Sequence, residues 1–266
     1  MPTTSEKTHT ASGWTIDSPL RLQLHQRVVI WAGLGAITFL AWLYLFRMPM
    51  APEDLGVAGT RIAALMPLGW AQVWLTFMMW AVMMVAMMMP SAAPMITTYA
   101  RVAQSRGGAT RRTWIFTLGY IVVWAIFSAA ATATQMGLRH LALIDNALSL
   151  APIAGGVILI VAGIYQLTPF KEACLGGCRS PIGFLMTQWR EGSGGAFKMG
   201  LRHGALCVGC CGMLMALLFV AGVMNLLWIA VISAFVLLEK AFPYGRGISK
   251  VAGVALIAMG IAVTLG

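Results

Sequence analysis

The stretch that decides the fold is "LRHGALCVGCCGMLMALLFVA", Leu201–Ala221. Beyond Arg202 and His203 it carries no ionisable group other than thiols. As a helix its twenty-one residues would be about 30 Å long, the thickness of a bilayer's hydrocarbon core. It therefore reads as a membrane span. Yet it holds Cys207, Cys210 and Cys211, with His203 one turn before them. On a helix, His203, Cys207 and Cys211 follow i, i+4, i+8 and share one stripe, with Cys210 beside it. Gly200, Gly204, Gly209 and Gly212 remove side chains from the same turns, which lets another helix approach closely.

The rest of the chain fits this reading. Of 266 residues, 59% are hydrophobic and only 10% charged, against roughly 25% charged in a soluble domain. The mean hydropathy is +0.82. Apolar runs of membrane length recur at Val28–Phe46, Trp70–Met89, Trp114–Thr134, Leu150–Thr168, Leu201–Ala221, Val223–Leu238 and Val251–Leu265. The expected fold is all-α, a polytopic membrane helix bundle of about seven transmembrane helices. Residues 1–27 form a polar N-terminal tail in which Ser18-Pro19 opens a candidate interfacial helix. Residues 28–266 form a single transmembrane domain. "GVMN" at 222–225 turns the chain between the fifth and sixth spans. Pro90 and Pro94 are expected to end or kink the second span. Ala51–Pro67 reads as a short surface helix, and "REGSGGAFK" at Arg190–Lys198 as a flexible linker.

Charge orients the bundle. The chain holds 18 Lys and Arg against 8 Asp and Glu. With the N-terminus cytoplasmic and the C-terminus outside, the outer segments hold just Arg47, Arg61 and Arg139. Every other basic residue falls in an inner segment, the bias that sets membrane topology. The basic character thus marks orientation. Aromatic and basic residues do not interleave as in nucleic-acid grooves, so no nucleic-acid partner is expected.

This orientation, derived without the cysteines, puts all five of them at the cytoplasmic end. Cys174 and Cys178 lie in "KEACLGGCRSP", read as a loop after the fourth span, and the other three begin the fifth. Structural disulfides are disfavoured on a reducing face. Closely spaced thiols with an imidazole instead suit a soft or borderline metal, copper as Cu(I) or zinc. Cys174, Cys178, Cys207, Cys210, Cys211 and His203 are the candidate ligands. Taken alone, membrane-helix cysteines are also small apolar fillers, and His203 alone also reads as a snorkelling residue.

The second span adds thioethers. It ends "FMMWAVMMVAMMMPSAAPM" (Phe77–Met95), with Met79, Met83 and Met87 on one stripe and Met84 and Met88 on another. Methionines fill core gaps and also bind Cu(I). Met88, Met89 and Met95 are the methionines best placed at the cytoplasmic end, with Met88 and Met95 the candidate ligands.

"MMMPSAAPM" (Met87–Met95), "CLGGCRSP" (Cys174–Pro181) and the run from Gly200 to Lys240 resemble a bacterial family of predicted metal-binding integral membrane proteins. The family is known as domain of unknown function 2182, and its members are sometimes labelled copper chaperones. The resemblance covers about Trp70 to Lys240. Gly212 departs from the pattern, which places an aromatic residue after the paired cysteines. The resemblance implies metal binding in the inner (cytoplasmic) membrane of a bacterium.

The function expected is metal handling or assembly at a Cys-rich cytoplasmic-face site. A metal transporter, a membrane thiol redox protein and a structural subunit of a membrane complex are the alternatives. The partners expected are the lipid bilayer and a metal donor or acceptor protein or a larger membrane complex. Hydrolase chemistry finds no support. Ser91 and Ser180 have no His/Asp partner nearby in sequence, and phosphate-loop and dinucleotide motifs are missing.

Overall fold

A computed structural model describes residues 17–47, 69–104, 109–141, 152–223 and 225–265. Every regular element among them is helical: α1 (Asp17–Arg47), α2 (Trp70–Gln104), α3 (Ala109–His140), α4 (Pro152–Gln166), α5 (Pro169–Arg179), α6 (Pro181–Gln188), α7 (Gly192–Ala216), α8 (Leu218–Ala221), α9 (Leu226–Ala241) and α10 (Gly245–Leu265). Five stretches are long and apolar enough to cross a membrane: Arg27–Arg47, α2, α3, α7 with α8, and α10. A sixth is α4 with α5, bent by 65° at Leu167–Thr168. The expected sixth span, Val223–Leu238, is α9, whose 16 residues reach about 24 Å, short of the hydrocarbon thickness. The expected surface helix at 51–67 lies outside the described residues.

Three local expectations are corrected. Pro90 and Pro94 do not end α2, which runs through both for 35 residues. Pro90 deprives the Ala86 carbonyl of its helical partner, and the Trp42 Nε1 of α1 donates to that oxygen at 3.1 Å. Neighbouring helices routinely satisfy backbone groups freed by proline in this way. The segment 190–198 is no linker, because α7 starts at Gly192. The Cys174–Cys178 segment is helix α5, not a loop. It is started by Thr168, whose side chain accepts from the Lys171 N–H, and by Pro169 in its first turn.

The glycines of α7 set its depth in the bundle. A Cβ on Gly200 would lie 2.0 Å from the Phe116 carbonyl oxygen of α3, and one on Gly119 2.5 Å from the Phe197 carbonyl oxygen. The two backbones therefore touch with no side chain between them, as small residues permit in membranes. At the expected turn between α8 and α9, Gly222 and Asn225 are described. Gly222 has φ +88°, and Asn225 caps α9 by accepting from Leu227 N and Trp228 N.

Around α7 the core is built of α2, α3 and α5. Trp80, Met83, Met84, Met87, Met88 and Tyr120 are all buried within it. The methionine stripes of α2 thus face protein interior.

Candidate metal centre

Cys207, Cys210 and Cys211 are buried on one side of α7, with their sulfurs all within 4.8 Å of one another. Successive turns place them so, and both later thiols donate back to the Cys207 carbonyl, Cys211 at 2.8 Å and Cys210 at 3.2 Å. Cys207 and Cys211 Sγ are 3.9 Å apart. Two other helices extend the group. From α5, Cys178 Sγ lies 3.8 Å from Cys210 Sγ. From α2, Met88 Sδ lies 3.7 Å from Cys211 Sγ. Sulfurs separated by 32 and 123 positions in sequence therefore meet in one place.

These spacings suit a shared ion. With metal–sulfur bonds of about 2.3 Å, three ligands in a trigonal plane sit about 4.0 Å apart, and four in a tetrahedron about 3.8 Å apart. The observed 3.7–3.9 Å separations fall at or just inside those values. All five cysteines are free thiols, as metal ligation requires.

Cys174 is buried beside the group. A Cβ on Gly209 would come within 2.7 Å of its sulfur, so glycine makes the seat for it. Tyr165 Oη donates to the Gly209 carbonyl at 2.5 Å, fixing that turn of α7 against α4. Where the sequence pattern would put an aromatic ring at Gly212, the Phe127 ring of α3 stands 3.6 Å from the Cβ position. The neighbour supplies the ring that residue 212 does not.

His203 and Met95 lie apart from the sulfurs. His203 is 2% exposed, so it is packed rather than snorkelling. Its ring stacks near Tyr120 and Phe116, centroids 5.4 and 6.0 Å away, with Phe184 edge-on at 5.8 Å. Its Nδ1 is buried without a hydrogen-bond partner. It sits one helical turn, about 6 Å of rise, below Cys207. Met95 is buried on α2, about 10 Å of helical rise beyond Met88.

Three further residues, of which sequence pattern singled out Ser91 alone, complete the surroundings of Cys207. Lys240 Nζ donates to Cys207 Sγ and to Ser91 Oγ, each at 3.0 Å. Tyr120 Oη lies 3.2 Å from Cys207 Sγ and donates to the Met88 carbonyl, also at 3.2 Å. Ser91 Oγ donates to the same carbonyl at 2.9 Å. An ammonium only donates, so the Cys207 sulfur here accepts.

A second polar cluster adjoins the first. Lys171, in the first turn of α5, is 1% exposed and pairs with Glu239 of α9, also 1% exposed. It also donates to Gln166 Oε1 and, at 3.0 Å, to Ser249 Oγ of α10. Glu239 lies in the last turn of α9 and is buried. The sequence signal for this was the Glu239-Lys240 doublet after an apolar run, since adjacent helical residues point about 100° apart. Lys171, Cys174 and Cys178 are spaced i, i+3, i+7 and share one stripe of α5.

A family model described as a copper chaperone, PpoB2, matches residues 77–263, well over half of the chain. No curated protein and no solved structure matches the chain.

Proposed function

The chain belongs to the copper-chaperone family, and on that footing we propose that its sulfur group holds Cu(I) as cargo for handling or assembly. One observation carries the reading: thiols of α5 and α7 and a thioether of α2 converge at bonding separations. Zinc shares the thiolates, but the usual zinc ligand sets are built from Cys, His and carboxylates. Met88 beside Cys211 adds a thioether, a soft donor suited to Cu(I). We assign Cys207, Cys210, Cys211 and Met88 as the ligand pool, with Cys178 at its edge and Cys174, His203 and Met95 as reserve donors around it.

The distribution of basic residues supports placing this site at the cytoplasmic face of a bacterial inner membrane. Residues 28–266 then act as one multi-pass domain, and 1–27 as its tail. Among the described residues the site has sulfurs, an ammonium and a phenol but no carboxylate beside the thiols, and we read it as a binding site rather than a catalytic one.

Metal analysis of the purified protein under reducing conditions tests the assignment. The wild type should retain about one Cu(I) per chain, and Cys207→Ser and Cys210→Ser should lose at least tenfold. Equal, near-zero copper in all three refutes it.

A transporter is the second reading, favoured by the buried stripes Met79–Met83–Met87 and Met84–Met88 of α2. Copper flux into proteoliposomes under an imposed gradient supports it, and a flat trace removes it.

A further inference from the structure

We propose that Cys178 is the transfer ligand of the sulfur group, the thiol on which Cu(I) exchanges with an outside donor before it moves inward; this rests on the Cu(I) reading above. The argument begins with exposure. Cys207 and Cys211 are 0% exposed and Cys210 is 1%, as is Met88 at 0%. A thiol of another molecule cannot reach a metal held by these sulfurs alone. Cys178 is the member of the group that is partly exposed. It lies in the last turn of α5, next to two glycines. Cys174, on the same face of α5, is instead turned onto Gly209.

From Cys178 the sulfurs run inward in order of burial. Cys210 is 3.8 Å away. Cys207 and Cys211 follow within 4.8 Å of Cys210, and Met88 lies 3.7 Å beyond Cys211. The steps of 3.7–3.9 Å are short enough for an ion to hold both sulfurs at once, because two bonds of about 2.3 Å span up to about 4.6 Å, and Cys210 stands within 4.8 Å of Cys207 and Cys211, close to that span. Cu(I) therefore moves by gaining one bond before losing another and is never bare in an apolar interior, where a lone charge costs many kcal/mol.

The step balances without redox chemistry. A donor complex of the form RS–Cu–SR meets Cys178, and a Cu–S bond to Cys178 forms while one Cu–S bond to the donor breaks. Cys210 then adds its bond and the second donor bond breaks. The thiol protons of Cys178 and Cys210 leave on the two departing donor thiolates, and copper stays Cu(I).

Stopped-flow loading of the full-length protein in micelles tests this, with Cu(I)–glutathione as donor and the Cu–thiolate absorbance as signal. Cys178→Ser should load at least tenfold more slowly, yet reach copper content within about twofold of wild type. Release from the preloaded variant to a Cu(I) chelator should slow by the same factor, since a transfer ligand changes both directions and not the equilibrium. A misfolded variant would release faster, so the release arm separates the two. Cys178→Ala should behave as Cys178→Ser does. Cys211→Ser should do the reverse, keeping the initial rate and losing content. Unchanged rates in Cys178→Ser, or lost content at an unchanged initial rate, overturn the proposal. A wild type that binds no Cu(I) at equilibrium refutes the site assignment itself and this proposal with it.

Discussion

Breaking the Lys171–Glu239 pair from either side should destabilise the protein far more than removing both partners. Each side chain is 1% exposed, so neither charge can turn to water when its partner is gone. At a hydrogen-bonded separation of about 3 Å and an effective dielectric of about 20, the attraction is roughly 5 kcal/mol. Removing one member of a buried pair costs about 3–5 kcal/mol, because the other is left uncompensated. We therefore expect Lys171→Met and Glu239→Gln each to cost about 3–5 kcal/mol. In the double variant Lys171→Met/Glu239→Leu no charge remains. What is left is the lost donor to Gln166 Oε1 and Ser249 Oγ, about 1–3 kcal/mol. The double variant should thus be more stable than either single one. Unfolding in micelles by titration with a denaturing detergent, followed by helical circular dichroism, measures all four corners of the cycle. Single variants costing under about 1 kcal/mol, or a double variant costing the sum of the singles, would refute the buried pairing.

Two further outcomes follow from the packing and the ligand set. Gly200→Ala should destabilise by about 1–3 kcal/mol in the same assay, because its Cβ would stand 2.0 Å from the Phe116 oxygen. Gly176→Ala, which meets nothing within 4 Å, should be neutral or stabilise by up to about 1 kcal/mol. Met88→Leu keeps the buried volume at a cost below about 1.5 kcal/mol but removes the thioether. It should weaken Cu(I) retention against a competing chelator several-fold while zinc retention stays unchanged, and equal effects on both metals would count against Met88 as a ligand.

How much of this was legible in sequence depended on whether the cause was local. Length and hydropathy reveal α1, α2, α3, α7 and α10, because desolvating a 20-residue segment is a property of the segment itself. The charge asymmetry of the loops, together with cysteine spacing, led to the expectation that the Cys174–Cys178 segment would lie near the thiols of α7, and Cys178 stands 3.8 Å from Cys210. The Met84–Met88 stripe likewise anticipated a thioether near the thiols. The errors arose where a distant residue decides. Proline ends helices in water, but the group that rescues α2 is Trp42, 44 positions away. Glycines at 192, 194 and 195 read as a linker because helix propensity penalises them. In the bundle α7 is held against α3 by backbone contact, which outweighs propensity. The same weighting of Gly176 and Gly177 hid α5, although the Thr168-Pro169 start was visible. Lys240, Tyr120 and Lys171 could not be found by spacing, because what places each is a partner on another helix.

The doublet Glu239-Lys240 accounts for a helix otherwise too short for its surroundings. At 16 residues, α9 does not match the hydrocarbon thickness, and its last turn carries two charges of opposite sign. Glu239 reaches Lys171 on α5 and so fixes the stripe that presents Cys174 and Cys178. Lys240 reaches Cys207 on α7 and Ser91 on α2. One turn of α9 thus holds all three sulfur-bearing helices. It also determines what faces Cys207. The Lys240 ammonium is half-buried, and the described glutamates are engaged elsewhere: Glu239 with Lys171, Glu172 with Arg246, and Glu191 with Trp189 Nε1. What remains for Lys240 is the Cys207 sulfur, with the Ser91 hydroxyl. A thiol already turned to offer its lone pairs to a cation in a dry interior has the electronic arrangement that a soft metal ion needs. The fold therefore prepares Cys207 as an electron-pair donor through a residue that is itself no ligand.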